Sequence, residues 1–348
     1  MKPFISFHYH EYLKFLVFRG ICFGLRKFIE IKCFDDSKTN FMKFLGESMA
    51  IFVYLFQRFI LLKKNKDIQE YRLNPNYTDI FQYANIFFMI FISSLCDLIG
   101  CTNYKLNGEK KKMELKENYN LIFLCIFICL NEYILLNVQI YNYHIIGYGL
   151  YIISLVTNLF KQIYHFSYGN ILILIISIET QYIESLFYIL EKKLNHHYFI
   201  KITFICAFEG FFGIIIISVI KLLPFDKSSN LFPDVKNGNK IIIYLLYCIL
   251  TCISNLCRLR VTELSRPSYN IIGKSLCSIA INIVSYKFGK YNWDISNILI
   301  IICSLIASFI ASEVISLGFF NLDQNIKTNI SDRGEEEISR IIDNDSLN

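Results

Sequence analysis

Two carboxylates stand inside stretches that are otherwise apolar. Glu47 ends Phe44-Leu45-Gly46-Glu47, and Glu209 lies within Ala207-Phe208-Glu209-Gly210-Phe211-Phe212-Gly213. An acid in such a run is costly in hydrocarbon, so its presence points to a role. It can take up a cation or a proton, and the adjacent glycine lets another helix come close. The plainer alternative is a structural acid hydrogen-bonded to a neighbouring helix. A third stretch holds Glu179, Gln181 and Glu184. Glu179 and Glu184 are five residues apart, roughly 140° around a helix, and cannot share one tight site. Gln181 and Glu184 are three apart and share a face. They read as a polar stripe lining a pathway, or as hydrogen-bonding glue between helices. A fourth stretch carries Asn270, Gly273, Lys274 and Ser275. Lys274 suits a substrate counter-ion or a partner of Glu47 or Glu209, and could instead snorkel to the interface. Asp97 and Asn255 are weaker candidates of the same kind.

Other chemistry has little to stand on. The twelve cysteines are scattered, mostly within apolar runs, and none forms a C-x-x-C pair, so no metal site is expected. Gly273-Lys274-Ser275 lacks the first glycine of a phosphate-binding loop and falls in an apolar stretch. No nucleophile elbow or metalloprotease pattern occurs. The histidines at 8, 10, 144, 165, 196 and 197 fall mainly near the ends of apolar runs, and His196-His197 beside Lys192-Lys193 suits a loop facing lipid head groups. The net charge of +6 is spread over short lysine clusters rather than a stripe, which argues against a nucleic-acid partner.

The elements that must position these groups are long helices. A bilayer core about 30 Å thick takes roughly 20 apolar residues of helix. Runs of this kind recur throughout, around residues 121–130, 171–178, 211–220, 241–250 and 298–310. Hydrophobic residues make up 54% of the 348 positions and charged ones 18%, with mean hydropathy +0.41, which leaves no room for a separate soluble domain. The fold class expected is all-α: a polytopic membrane protein of about ten transmembrane helices. The spans fall at about 12–31, 40–62, 80–101, 119–136, 141–160, 170–190, 200–223, 240–256, 269–288 and 295–317. Span one is the weakest, because Arg19, Arg26 and Lys27 interrupt it; these must snorkel or face protein. All five prolines lie in loops or at span ends, so proline kinks are not expected.

Three segments follow. Residues 1–168 form an N-terminal half with spans one to five, with a polar insert at 107–118 read as a mobile lysine-rich loop. Residues 169–318 form a second half with spans six to ten, and 319–348 an acidic polar tail. If each half has five spans, Glu47 and Glu209 occupy equivalent positions, and paired repeats of this type build a site at their interface.

The sequence also resembles a known family. Leu190-Glu191-Lys192-Lys193 followed by Phe208-Glu209-Gly210-Phe211-Phe212-Gly213 is similar to the L-E-E-K and E-G-L-F-G pattern of the drug/metabolite transporter superfamily, in the F-type branch of solute carrier family 35. Phe44-Leu45-Gly46-Glu47 matches that branch's span-two F-L-G-E. Ser94-Leu95-Cys96-Asp97 with Gly100 resembles its L-C-D-x-x-G. Val261-Thr262-Glu263-Leu264-Ser265 and then Ser275-Leu276 resemble its V-T-K-E-L-S and D-S-L, and Gln181 falls where it has a span-six glutamine. The chain departs from the pattern at 107–118, which replaces an Arg-Gly entry to span four, and at Asn270 and Lys274, where the branch has Arg and Asp. The resemblance covers most of residues 41–317. It implies two inverted five-helix repeats with both termini cytosolic, in the superfamily of nucleotide-sugar carriers and, more distantly, the chloroquine-resistance transporter.

The function expected is therefore a solute transporter working by alternating access, with Glu47, Gln181, Glu209 and Lys274 as substrate-binding residues. No catalytic residue, enzyme activity, cofactor or metal is expected. The expected partners are a small-molecule solute and the lipid bilayer, and a homodimer is compatible with them. The expected location is multi-pass in an intracellular organelle membrane. A transport-inactive scaffold or receptor on the same fold is the alternative.

Overall fold

The structure is a computed structural model that describes residues 5–7, 11–33, 39–63, 80–102, 112–137, 142–160, 169–196, 198, 200–222, 238–287, 295–311 and 313–317. It is almost entirely α-helical. The helices are α1 (Glu11–Cys33), α2 (Thr39–Ser48), α3 (Ala50–Lys63), α4 (Ile80–Thr102), α5 (Lys112–Leu136), α6 (Asn142–Phe160), α7 (Gly169–His196), α8 (Ile202–Leu222), α9 (Gly238–Leu264), α10 (Asn270–Lys287) and α11 (Ile295–Ala311). A 3-10 turn at Pro267–Tyr269 joins α9 to α10. Two three-residue strands, β1 (Ile5–Phe7) and β2 (Ile315–Leu317), pair antiparallel with Ile5 opposite Leu317.

Helices α2 and α3 are one element with a break at Met49. The Met49 amide is shared between the carbonyls of Leu45 at 3.3 Å and Gly46 at 3.2 Å, and Ser48 Oγ donates to Leu45 O at 2.8 Å. A hydroxyl bonded back to its own helix competes with the ladder and bends it. The bend thus falls directly after Glu47. Counting α2 and α3 together, ten helical elements occur among the described residues.

Three boundaries differ from the sequence reading. Helix α5 starts at Lys112, so residues 112–118 are helical where a mobile loop was expected; positions 107–111 lie outside the described residues. Helix α9 runs to Leu264 rather than 256, and α11 ends at Ala311 rather than 317, giving way to β2. The tail at 319–348 also lies outside the described residues.

Packing is dominated by a few pairs: α1 with α9 and α10, α2 with α8 and α9, α4 with α7 and α8, α5 with α6 and α7, α6 with α11, and α10 with α11. The pair α8 with α9 packs as much as α10 with α11; with the elements numbered one to ten, exchanging each with the element five later returns every one of these pairs except α8 with α9. The tightest crossing is α2 on α8. A Cβ at Gly210 would overlap Ser48 N and come 2.6 Å from Phe44 O, and one at Gly213 would overlap the Phe44 ring. Gly46 also packs closely on α9, where a Cβ would stand 2.8 Å from Cys248 O. Glycine lets these backbones meet, as small residues do at helix interfaces in membranes.

Two helical stretches among the described residues are long and apolar enough to cross a membrane, Ile202–Ile220 and Ile241–Leu264; shorter apolar stretches are Ala84–Ile99, Phe123–Leu136 and His144–Ile153. Large apolar side chains also point outward. On α3, Phe52, Leu55, Phe56 and Phe59 are all more than half exposed.

Candidate functional site: a buried ionic network

Five helices bring charged groups together where α2 crosses α8. From α9, Arg258 donates through Nη1 to Glu191 Oε1 on α7 at 2.5 Å, and its Nη2 stands 3.7 Å from Glu209 Oε2 on α8. The guanidinium lies 4.4 Å from the centroid of the Phe187 ring, so its face is covered by an aromatic while its edge meets carboxylates. Glu209 Oε1 accepts from Ser93 Oγ on α4 at 2.7 Å, and the Glu209 carbonyl accepts from Ser94 Oγ at 2.9 Å.

Glu47 completes the group. Its Oε1 accepts from Asn255 Nδ2 on α9 at 2.6 Å and stands 3.8 Å from Lys43 Nζ one turn earlier. Lys43 is held more closely by Asp97 on α4, at 2.6 Å. Glu47, Glu191, Glu209 and Arg258 are each no more than 5% exposed, whereas the Lys43 and Asp97 side chains keep 14% and 19%. The network therefore has a dry end at Arg258 and an end that reaches solvent-accessible surface at Asp97. Buried charges persist when they are paired and hydrogen-bonded. Two oxygens here, Glu47 Oε2 and Glu191 Oε2, are buried with no hydrogen-bond donor.

The sequence candidates separate into two groups. Glu47 and Glu209 belong to the same network, and Asp97 and Asn255, ranked lower from sequence, are members too. Lys274 is not. Its ion-pair partner is Glu184 on α7, which also accepts from Tyr188 Oη at 3.4 Å. The expectation that Lys274 pairs with Glu47 or Glu209 is thus corrected: α10 presents it to α7, not to α2 or α8. Gln181 is buried one turn before Glu184 on the same helix. Nearby, Asn131 Nδ2 donates to Ser185 Oγ at 2.6 Å, and Tyr151 Oη lies 3.0 Å from Ser275 Oγ. Glu179 is exposed and outside both groups. Between the groups, Asn270 accepts from Arg19 Nη1 at 3.1 Å and donates to Thr262 Oγ1 at 2.8 Å. The arginine that weakens span one is thus buried against protein rather than snorkelling.

Lys43, inside span two, was not singled out from sequence, and neither were Arg258 and Glu191. The last two were placed at or beyond span ends. A periodic signal was available for each. Thr251, Asn255, Arg258 and Thr262 follow helical spacing on α9, and all four are buried. Gln181, Glu184, Tyr188 and Glu191 follow the same spacing on α7, with Glu184 partly exposed and the other three buried. His144, expected near a span end, is buried in α6, 3.8 Å from Glu313 Oε1, while Tyr269 Oη donates to Glu313 at 3.2 Å. Among the described residues no cluster of His, Cys, Asp and Glu has the arrangement of a metal site.

No family model matches this sequence, and no curated protein matches it. Solved structures do match the fold. One, described only as the crystal structure of a protein, aligns with 87% of this chain and 96% of its own at a TM-score of 0.60 and 9% identity. At that identity the likeness is one of fold alone.

Proposed function

We propose that this chain is a multi-pass solute transporter of the drug/metabolite transporter type, working by alternating access. The observation that carries the reading is the ionic network joining α2 and α4 of the first half to α7, α8 and α9 of the second. A scaffold would have no need of paired charges at the junction of its halves. A carrier needs polar groups there that can exchange partners as the halves rock.

Three further features support it. Exchange of each element with the one five later preserves all but one of the main packing pairs, the exception being α8 with α9, in keeping with two five-helix repeats. Exposed aromatic and aliphatic side chains on α3 make an apolar surface suited to lipid rather than water. Among the described residues two helical stretches, on α8 and α9, are long and apolar enough to cross a membrane, and shorter apolar stretches lie on α4, α5 and α6. In this reading both termini face the cytosol, the membrane is that of an organelle, and Glu47, Gln181, Glu209 and Lys274 contact the solute. Glu184 and Lys274 suit the role because their side chains keep 16% and 20% exposure.

The close glycine packing of α2 on α8 favours a second reading, a scaffold that does not open. Reconstituted liposomes distinguish the two. Uptake or counterflow of at least one member of a panel of amino acids, nucleotide sugars and organic cations is the carrier's outcome. No flux of any member, from protein shown to be folded and inserted in both orientations, is the scaffold's.

A further inference from the structure

The ionic network has more acid than base. Among the described residues Glu47, Asp97, Glu191 and Glu209 share it with Lys43 and Arg258. Arg19 is the next cation outward, adjoining Glu191 from α1, and carboxylates still outnumber cations when it is included. An excess anion with no water around it is costly unless it takes up a positive charge. A metal ion would need several oxygen ligands converging on one point, and no such group occurs among the described residues. A proton needs one carboxylate oxygen.

The geometry indicates which one. Arg258 is divided between Glu191, at 2.5 Å, and Glu209, at 3.7 Å, and Glu209 also has the Ser93 hydroxyl. Asp97 holds Lys43 at 2.6 Å. Glu47 has the weakest cationic company: a neutral amide from Asn255, and Lys43 at 3.8 Å. The other titratable groups that face it are Arg258, which Glu191 and Glu209 already engage, the carboxylates of Asp97 and Glu209, and the thiols of Cys206 on α8 and Cys252 on α9. Its Oε2 is buried and accepts from nothing, so a proton placed there displaces no hydrogen bond. Lys43, 3.8 Å from the other oxygen of this carboxyl, and its partner Asp97 are both partly exposed and mark a route for the proton toward the surface.

We propose that Glu47 is a proton-binding site, carrying a proton on Oε2 and releasing it by way of the Lys43–Asp97 pair. The proposal names the coupling ion for the carrier reading and rests on that reading for its physiological meaning, but not for its test. Protonation would remove the charge that draws Lys43 back along its own helix, α2. The ammonium would then be left wholly to Asp97, and the α2–α4 contact would rest on that pair.

Infrared difference spectroscopy of the full chain in lipid nanodiscs reads this directly. A protonated carboxylic acid has a carbonyl stretch distinct from that of a carboxylate. The wild-type protein is expected to show such a band, shifted in heavy water and bleached as pH rises. Glu47→Gln should lose it, while Glu179→Gln, at an exposed residue outside the network, retains it. Should Glu47→Gln not fold, Glu47→Asp keeps the acid and should shift the band. Absence of any protonated-acid band in folded wild-type protein across the pH range overturns the proposal. So does a band that survives Glu47→Gln or disappears in Glu179→Gln. The band reports the proton whether or not a solute moves. Protein with the band and no flux keeps the site and loses the carrier, and flux without the band does the reverse.

Discussion

Arg258 and Glu191 lie 67 residues apart in the chain, and their side chains meet at 2.5 Å, each almost fully buried. The pair ties α9 to α7, and Glu209 makes it a three-way junction with α8. Removing one partner should therefore harm more than removing two. Arg258→Met leaves two buried carboxylates without their cation and should cost about 3–5 kcal/mol. Glu191→Gln added to it should recover part of that loss. A double-mutant cycle read by thermal unfolding in detergent checks this; strictly additive single effects would show that the pair does not couple.

The network was half legible from sequence, for a physical reason. Glu47 and Glu209 are conspicuous because apolar residues surround them, so an acid there has no ordinary explanation. Arg258 has Asn255 before it and Arg260 and Glu263 after it. Local polarity made the stretch look like the end of a span followed by a loop. In the fold α9 continues through it, with Arg258 turned inward while Arg260 and Glu263 pair on the partly exposed face. The helical spacing of Thr251, Asn255, Arg258 and Thr262 held that information, but hydropathy averages over faces and loses it. Lys274 failed differently. Its helix was readable, but its choice of Glu184 depends on how α10 meets α7, which no local pattern sets. The α5 start was missed because Lys112, Lys116 and Glu117 are polar without being helix breakers.

Glycine packing gives an internally controlled prediction. Gly210→Ala forces a Cβ against the α2 backbone and should destabilise by about 1–3 kcal/mol, the usual cost of overpacking. Gly149 on α6 has open space where a Cβ would go. Gly149→Ala should be neutral or stabilise by about 0.5–1 kcal/mol through helix propensity. Denaturation midpoints of the two variants side by side check this, and equal shifts would contradict the close α2–α8 crossing.

Lys192 predicts a local effect rather than a global one. Its Nζ donates to the carbonyls of Thr262 at 2.8 Å, Glu263 at 3.3 Å and Ser265 at 2.6 Å, where α9 ends. A cation bonded to terminal carbonyls stabilises a helix C-terminus. Lys192→Ala should therefore increase hydrogen exchange in the last turn of α9 and the Pro267–Tyr269 turn, with little change in α4 or α8. Uniform loss of protection across all helices would mean that Lys192 acts on the whole fold.

The second polar group makes a prediction about charge order. Lys274 and Glu184 meet in a partly exposed ion pair. Exchanging them, as Lys274→Glu with Glu184→Lys, keeps the pair and reverses its polarity. The fold should survive, while preference among charged solutes in the uptake panel should change. An unaltered solute profile in the exchanged protein would remove this pair from the solute's path.

The central claim is that the network on α2 and α8 serves movement of a solute rather than static cohesion. The most direct measurement is initial-rate uptake in proteoliposomes by the Glu47→Gln, Glu209→Gln double variant, with folding verified by thermal unfolding. Glutamine keeps an acceptor oxygen for Asn255 Nδ2 and Ser93 Oγ but can neither ionise nor take up a proton, so transport should fall by roughly tenfold or more while the protein remains folded. Transport kinetics equal to those of the wild-type chain would contradict the account.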